Sequence, residues 1–104
     1  MPVVVVATLT VKPESVVAVR EILTGAAKDV QDEPGCQLYS LHESGDTFVF
    51  VEQWADEEAL KTHRTAPAVG KMFSAAGEHL AGAPDIKMLQ PVPAGDPGKG
   101  QLRP

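Results

Sequence analysis

The chain of 104 residues has one cysteine, Cys36, and few aromatic residues: three Phe, one Tyr and one Trp. A single cysteine excludes an internal disulfide and a cysteine-based metal cluster, and it fits a reducing compartment. Cations are also scarce. Nine Lys and Arg stand against fourteen Asp and Glu, for a formal net charge of −5 and a pI near 5.0. The basic residues are scattered, whereas a grip on nucleic acid or anionic lipid needs them clustered. No apolar run approaches the ~20 residues of a membrane-spanning helix, and Met1-Pro2-Val3 lacks the basic start of a signal peptide. The expected location is therefore cytoplasmic, with neither nucleic acid nor membrane as partner. The sequence has no Gly-rich phosphate loop, no Gly-x-Ser-x-Gly elbow and no His/Cys/Asp spacing suited to a metal. A flavin or nicotinamide enzyme needs a binding unit that no segment supplies, so no cofactor is expected.

What the chain has is regular patterning. Val3 to Val11 (VVVVATLTV) is β-branched and nearly unbroken, and neither of its alternating sets is strongly polar. That pattern predicts a strand buried on both faces. Pro13 sits where a first helical residue belongs, and Val16, Val19, Leu23, Ala26, Ala27 and Val30 recur at helical spacing, predicting an amphipathic helix to about Gln31. Glu33-Pro34-Gly35 ends it and turns the chain. A second strand runs from Cys36 to about Glu43, Ser44-Gly45-Asp46 makes a hairpin, and Thr47 to Trp54 (TFVFVEQW) forms a third strand. Asp56 is placed to cap a helix that carries Glu57 and Glu58 in its first turn and reaches His63 or Arg64. Thr65-Ala66-Pro67 restarts the helix, which carries an apolar stripe of Val69, Met72, Phe73, Ala76 and Leu80. Gly82-Ala83-Pro84 breaks it before a last strand, Asp85 to Gln90.

The order β-α-β-β-α-β gives an α+β, ferredoxin-like fold, an antiparallel sheet with its helices on one face. Residues 1–90 form this domain. Residues 91–104, with four prolines, three glycines and no periodic apolar set, read as a flexible C-terminal tail. In the third strand Phe48, Phe50, Glu52 and Trp54 share one face, and Val49, Val51 and Gln53 the other. Whichever side meets the helices, the opposite side stays largely apolar, and soluble monomers rarely expose such a patch. A homodimer with two sheets packed face to face, a dimeric α/β barrel, covers it.

Chemistry-bearing candidates gather at the third strand and the helix after it. Glu52 lies mid-strand between Phe50 and Trp54, where desolvation raises a carboxyl pKa unless a cation or donor answers it. It is either such a titrating group or a carboxylate paired to Arg20, Lys71 or a partner's backbone. His63 is either turned inward, where it can move a proton near neutral pH, or a surface residue near a helix C-terminus. Trp54 is core, a ligand wall, or both. Tyr39 offers a phenolic hydroxyl on one face of the second strand, opposite His42. His42 and His79 are expected to be solvated. Phe50, Met72 and Phe73, with Phe48, are core residues that would also line an apolar small-molecule pocket.

Four pieces in order resemble the antibiotic biosynthesis monooxygenase family of dimeric α/β-barrel proteins, which includes cofactor-free quinol monooxygenases. They are Val-x-Ala-x-Leu-x-Val-Lys-Pro (Val5 to Pro13), Glu33-Pro34-Gly35-Cys36 with Tyr39 beyond it, Phe50-Val51-Glu52-Gln53-Trp54, and Glu58-Ala59-Leu60 leading to His63. The resemblance implies a pocket between sheet and helices where a small phenol or quinol is oxidised by O₂ without flavin, metal or heme. By position it places Glu52, Trp54 and His63 near that pocket, with His63 or Glu52 as the base. Val6-Ala7-Thr8 and Met72-Phe73-Ser74 hold neither the asparagine nor the histidine of the heme-degrading branch. Phe50 stands where the antibiotic-tailoring branch has an asparagine. Two further readings share the scaffold: a non-catalytic dimeric module that binds a small aromatic metabolite, and an isomerase.

Overall fold

The computed structural model describes residues 1–104. It contains β1 (Val3–Thr10), α1 (Val16–Gln31), β2 (Cys36–Ser44), β3 (Thr47–Trp54), α2 (Glu57–Arg64), α3 (Pro67–Ala76) and β4 (Asp85–Leu89). The strands form one antiparallel sheet in the order β2-β3-β1-β4, the ferredoxin-like arrangement, with all three helices on one side. None of these helices is long and apolar enough to cross a membrane.

Local chemistry sets each boundary. Pro13 opens a short 3₁₀ turn, Pro13–Ser15, so α1 begins at Val16 rather than at the proline. Helix α1 then buries Val19, Leu23, Ala27 and Val30, the stripe its spacing predicts. Asp56 is extended, and its Oδ1 accepts a hydrogen bond from the Ala59 amide at 2.8 Å, a side-chain N-cap for α2. Pro67 opens α3, and a 3₁₀ turn at Gly77–His79 closes that segment before Leu80 bridges to Val11.

The core lies between the sheet and the helices. Val5, Ala7, Leu9 and Val11 supply one row of it, and Phe48, Phe50 and Trp54 supply the next. Each large apolar side chain removed from water there contributes about 1.5–3 kcal/mol. On the opposite face Val4, Val6, Val49 and Val51 are only half-buried. Gln53 on that face is buried: its side-chain amide donates to Gln37 Oε1 at 2.8 Å and to the Arg103 carbonyl at 3.4 Å. Residues 91–104 carry no helix or strand.

Gly35 does what no other residue can at its position. Its φ is +79°, a left-handed value that strains L side chains, and a Cβ there would overlap the Ala59 side chain of α2. The bare backbone therefore lets the Glu33–Gly35 turn lie directly against α2. His63 is one helical turn beyond Ala59, on the same side of α2.

Candidate active site

That close approach brings Glu33 to His63. His63 Nδ1 and Glu33 Oε1 are 2.8 Å apart, and since a carboxylate only accepts, Nδ1–H is the donor. The ring's other nitrogen, Nε2, then faces Glu52 Oε1 at 3.9 Å. Glu52 Oε1 in turn accepts a hydrogen bond from Trp54 Nε1 at 3.0 Å. The imidazole thus stands between two carboxyl groups contributed by the turn before β2 and by β3. Its ring also stacks on Trp54, centroids 4.3 Å apart.

Burial makes this cluster chemically active. Glu52 is 3% exposed and its carboxyl is raised to about 7, chiefly by desolvation; the Glu33 charge adds to the rise and the Trp54 N–H opposes it. A carboxyl poised there exchanges its proton near neutrality. Burial also pushes the Tyr39 hydroxyl and the Cys36 thiol up, so both stay uncharged. The second oxygen of Glu33 is buried without a hydrogen-bond partner. No three His, Cys, Asp or Glu side chains are arranged to hold a metal ion.

Glu52 and His63 form the floor of a largely apolar cavity of about 110 Å³ between sheet and helices. Tyr39, Phe50, Met72 and Phe73 are on its wall, so six of the eight residues singled out from the sequence meet there, while Phe48 lines the groove beside β2 instead. Trp54 is fully buried behind the floor, where it holds Glu52 and stacks on His63 without reaching the wall. Tyr39 stacks on Phe50, centroids 4.5 Å apart, and meets the His63 ring edge-on at 5.7 Å. Of the partners weighed for Glu52, neither Arg20 nor Lys71 approaches it; Arg20 instead pairs with Glu43 at 2.6 Å. His79 is part-buried against the Ser15 hydroxyl at 2.9 Å rather than solvated.

Sequence reasoning missed Glu33 and Arg64. Glu33 reads from the sequence as part of a helix-ending turn and of one resembling motif, with no role at the site, and its signal is the Glu-Pro-Gly run, whose glycine fits against α2. Arg64 lies at the cavity rim. A larger, open groove of about 660 Å³ lies between α1 and β2, and four of its polar side chains pair with each other, Arg20 with Glu43 and Ser40 with His42. The smaller and less open cavity is the one that holds the raised carboxyl of Glu52.

The family model for antibiotic biosynthesis monooxygenase matches residues 2–75. Rv0793 of Mycobacterium tuberculosis, a monooxygenase by its name, is 30% identical over 93 residues, which is 88% of this chain and 92% of that protein. Its solved structure superposes with a TM-score of 0.85 at 28% identity, over 92% of this chain and all of its own. A structure from Caulobacter crescentus that bears the same family description gives a TM-score of 0.83 at 33% identity, over 88% of this chain and 90% of that one.

Proposed function

The chain belongs to the antibiotic biosynthesis monooxygenase family, and from that membership we propose that it is a cytoplasmic, homodimeric monooxygenase that oxidises a small phenol or quinol with O₂. The observation that carries this reading is His63, oriented by Glu33 through Nδ1, with Nε2 turned to Glu52 at the floor of an apolar cavity. A quinol bound there presents a hydroxyl to His63 Nε2, which takes its proton. The quinolate gives one electron to O₂, and the resulting semiquinone and superoxide combine at a ring carbon. His63 returns the proton to the outer peroxide oxygen. Loss of water from that carbon, taking its ring hydrogen and the outer oxygen, leaves a new carbonyl on the ring. Quinol and O₂ thus become hydroxyquinone and H₂O, with the substrate supplying the electrons and the protein a base and a dry site.

The half-buried valines of the opposite face support a homodimer packed sheet to sheet. Residues 91–104 then form an arm separate from the domain of residues 1–90.

O₂ uptake with a panel of quinols tests the chemistry. His63→Ala is expected to lower uptake at least a hundred-fold. Uptake unchanged in that variant would remove the proposed base. Quinol binding under air with no turnover would turn the reading into that of a binding module.

A further inference from the structure

The cavity is electrostatically two-ended. Its floor holds Glu52 and His63, with Glu33 directly behind, so a negative charge brought there meets two carboxyl groups. Its rim holds Arg64, the only side chain on the wall that is charged at every physiological pH. Arg64 is solvent-exposed, and its guanidinium rests on the Met88 thioether. None of the ion pairs in the chain includes it. In a chain of net charge −5, an arginine without a carboxylate partner at the mouth of a cavity has its charge available to a ligand.

Size adds a second constraint. The cavity volume of about 110 Å³ is close to the ~150 Å³ apolar cavity that takes up a benzene ring. One ring therefore fills it, and any substituent has to leave through the rim. Arg64 and Met88 also line the adjoining groove of about 500 Å³, whose other charged side chains are Glu57 and Lys61. The Arg64–Met88 contact therefore borders both the cavity and the groove, and the groove carries one anion and two cations.

We propose that Arg64 is a specificity residue, and that the substrate is a single-ring quinol carrying an anionic substituent, a carboxylate, which Arg64 binds at the rim. The proposal rests on the quinol reading above. The guanidinium fork matches a carboxylate in two parallel hydrogen bonds. Repulsion from Glu33 and Glu52 keeps the same carboxylate off the floor, so attraction at one end and repulsion at the other point the ring hydroxyl at His63. Orientation and recognition come from one charge pattern.

A matched pair of probes separates this from the quinol reading itself: 2,5-dihydroxyphenylacetate and its methyl ester, which differ in charge, with unsubstituted hydroquinone as reference. Trp54, the single tryptophan and stacked on His63, reports binding by fluorescence under argon. The acid is expected to bind about ten-fold tighter than the ester. In Arg64→Gln the acid-to-ester ratio is expected to fall to near one. Equal affinities in the unaltered protein, or a ten-fold ratio that survives in Arg64→Gln, would overturn the role of Arg64 while ester and hydroquinone binding leave the quinol reading standing. Failure of all three probes to bind would overturn the quinol reading and this proposal with it.

Discussion

Strand β3 turns Phe48, Phe50, Glu52 and Trp54 toward the helices and Val49, Val51 and Gln53 away from them, and apart from Gln53, which Gln37 and the tail cover, the two sets differ in burial. On the helix side every residue is buried, including a carboxylate at 3% exposure. On the other side the valines, far more apolar than Glu52, are left half-buried. Burial driven by hydropathy alone would reverse Glu52 and Val51. A desolvated carboxyl with a raised pKa is the kind of group that clusters at functional sites, which marks the helix face as the candidate site. The open face has the marks of an interface, apolar surface awaiting cover.

The comparison breaks first if Glu52 costs nothing where it is. Its carboxyl is raised from 4.5 to about 7 in the folded chain. Between those values the folded state holds a proton that the unfolded state has released, so stability falls as pH rises through this window. The loss is complete above about pH 7. Glu52→Gln cannot ionise and still offers an oxygen to Trp54 Nε1. By urea denaturation the variant is expected to match the parent near pH 4 and exceed it by up to about 3 kcal/mol at pH 8. A difference that does not change with pH would mean that the neighbouring groups compensate the buried charge fully, and the helix face would lose its functional mark.

The element order was legible because each element carries its own local signal: β-branched runs for strands, helical spacing for α1 and α3, Asp56 for the start of α2. The face shared by Phe50, Glu52 and Trp54 follows from strand periodicity alone. The Glu33–His63 contact was not legible, because it joins residues thirty apart in sequence and depends on Gly35 packing against Ala59, a tertiary approach. Trp54 shows the converse. Its type and position mark the site region, but whether its ring reaches the cavity wall or stands behind the floor depends on His63 occupying the space in front. Arg64 gave no signal, because a charged residue in a helix's last turn is ordinarily a solvated one, and only the cavity beside it gives it a partner.

The open face supplies the next test. Val51 sits in the middle of that face, paired across the sheet with Val6 and Ser40. In a symmetric sheet-to-sheet dimer, Val51→Lys sets like charges into an apolar interface from both subunits. Its dimer dissociation constant, measured by sedimentation, is expected to rise about thirty-fold, or about 2 kcal/mol. The pH dependence traced to Glu52 is expected to stay, since that residue lies on the far side of the sheet. A parent protein that is already monomeric at micromolar concentration would sink the interface reading, and the half-buried valines would need another cover.

The smallest effect is expected at the tail, which also touches the open face. The Arg103 carbonyl accepts a hydrogen bond from Gln53 at 3.4 Å, a long contact. Other tail hydrogen bonds close on the tail itself: Asp96 receives the amides of Gly98, Lys99 and Gly100, and Gln101 bonds to the Pro97 carbonyl. Ending the chain after Gln90 therefore removes one weak bond to the sheet. Gln53 keeps its bond to Gln37. The truncated chain is expected to unfold within about 1 kcal/mol of the parent in urea, with the Glu52 pH dependence unchanged. A loss of 2 kcal/mol or more would place the tail inside the domain, as part of what covers Val51 and its neighbours, and the open face would then be covered in part by its own chain.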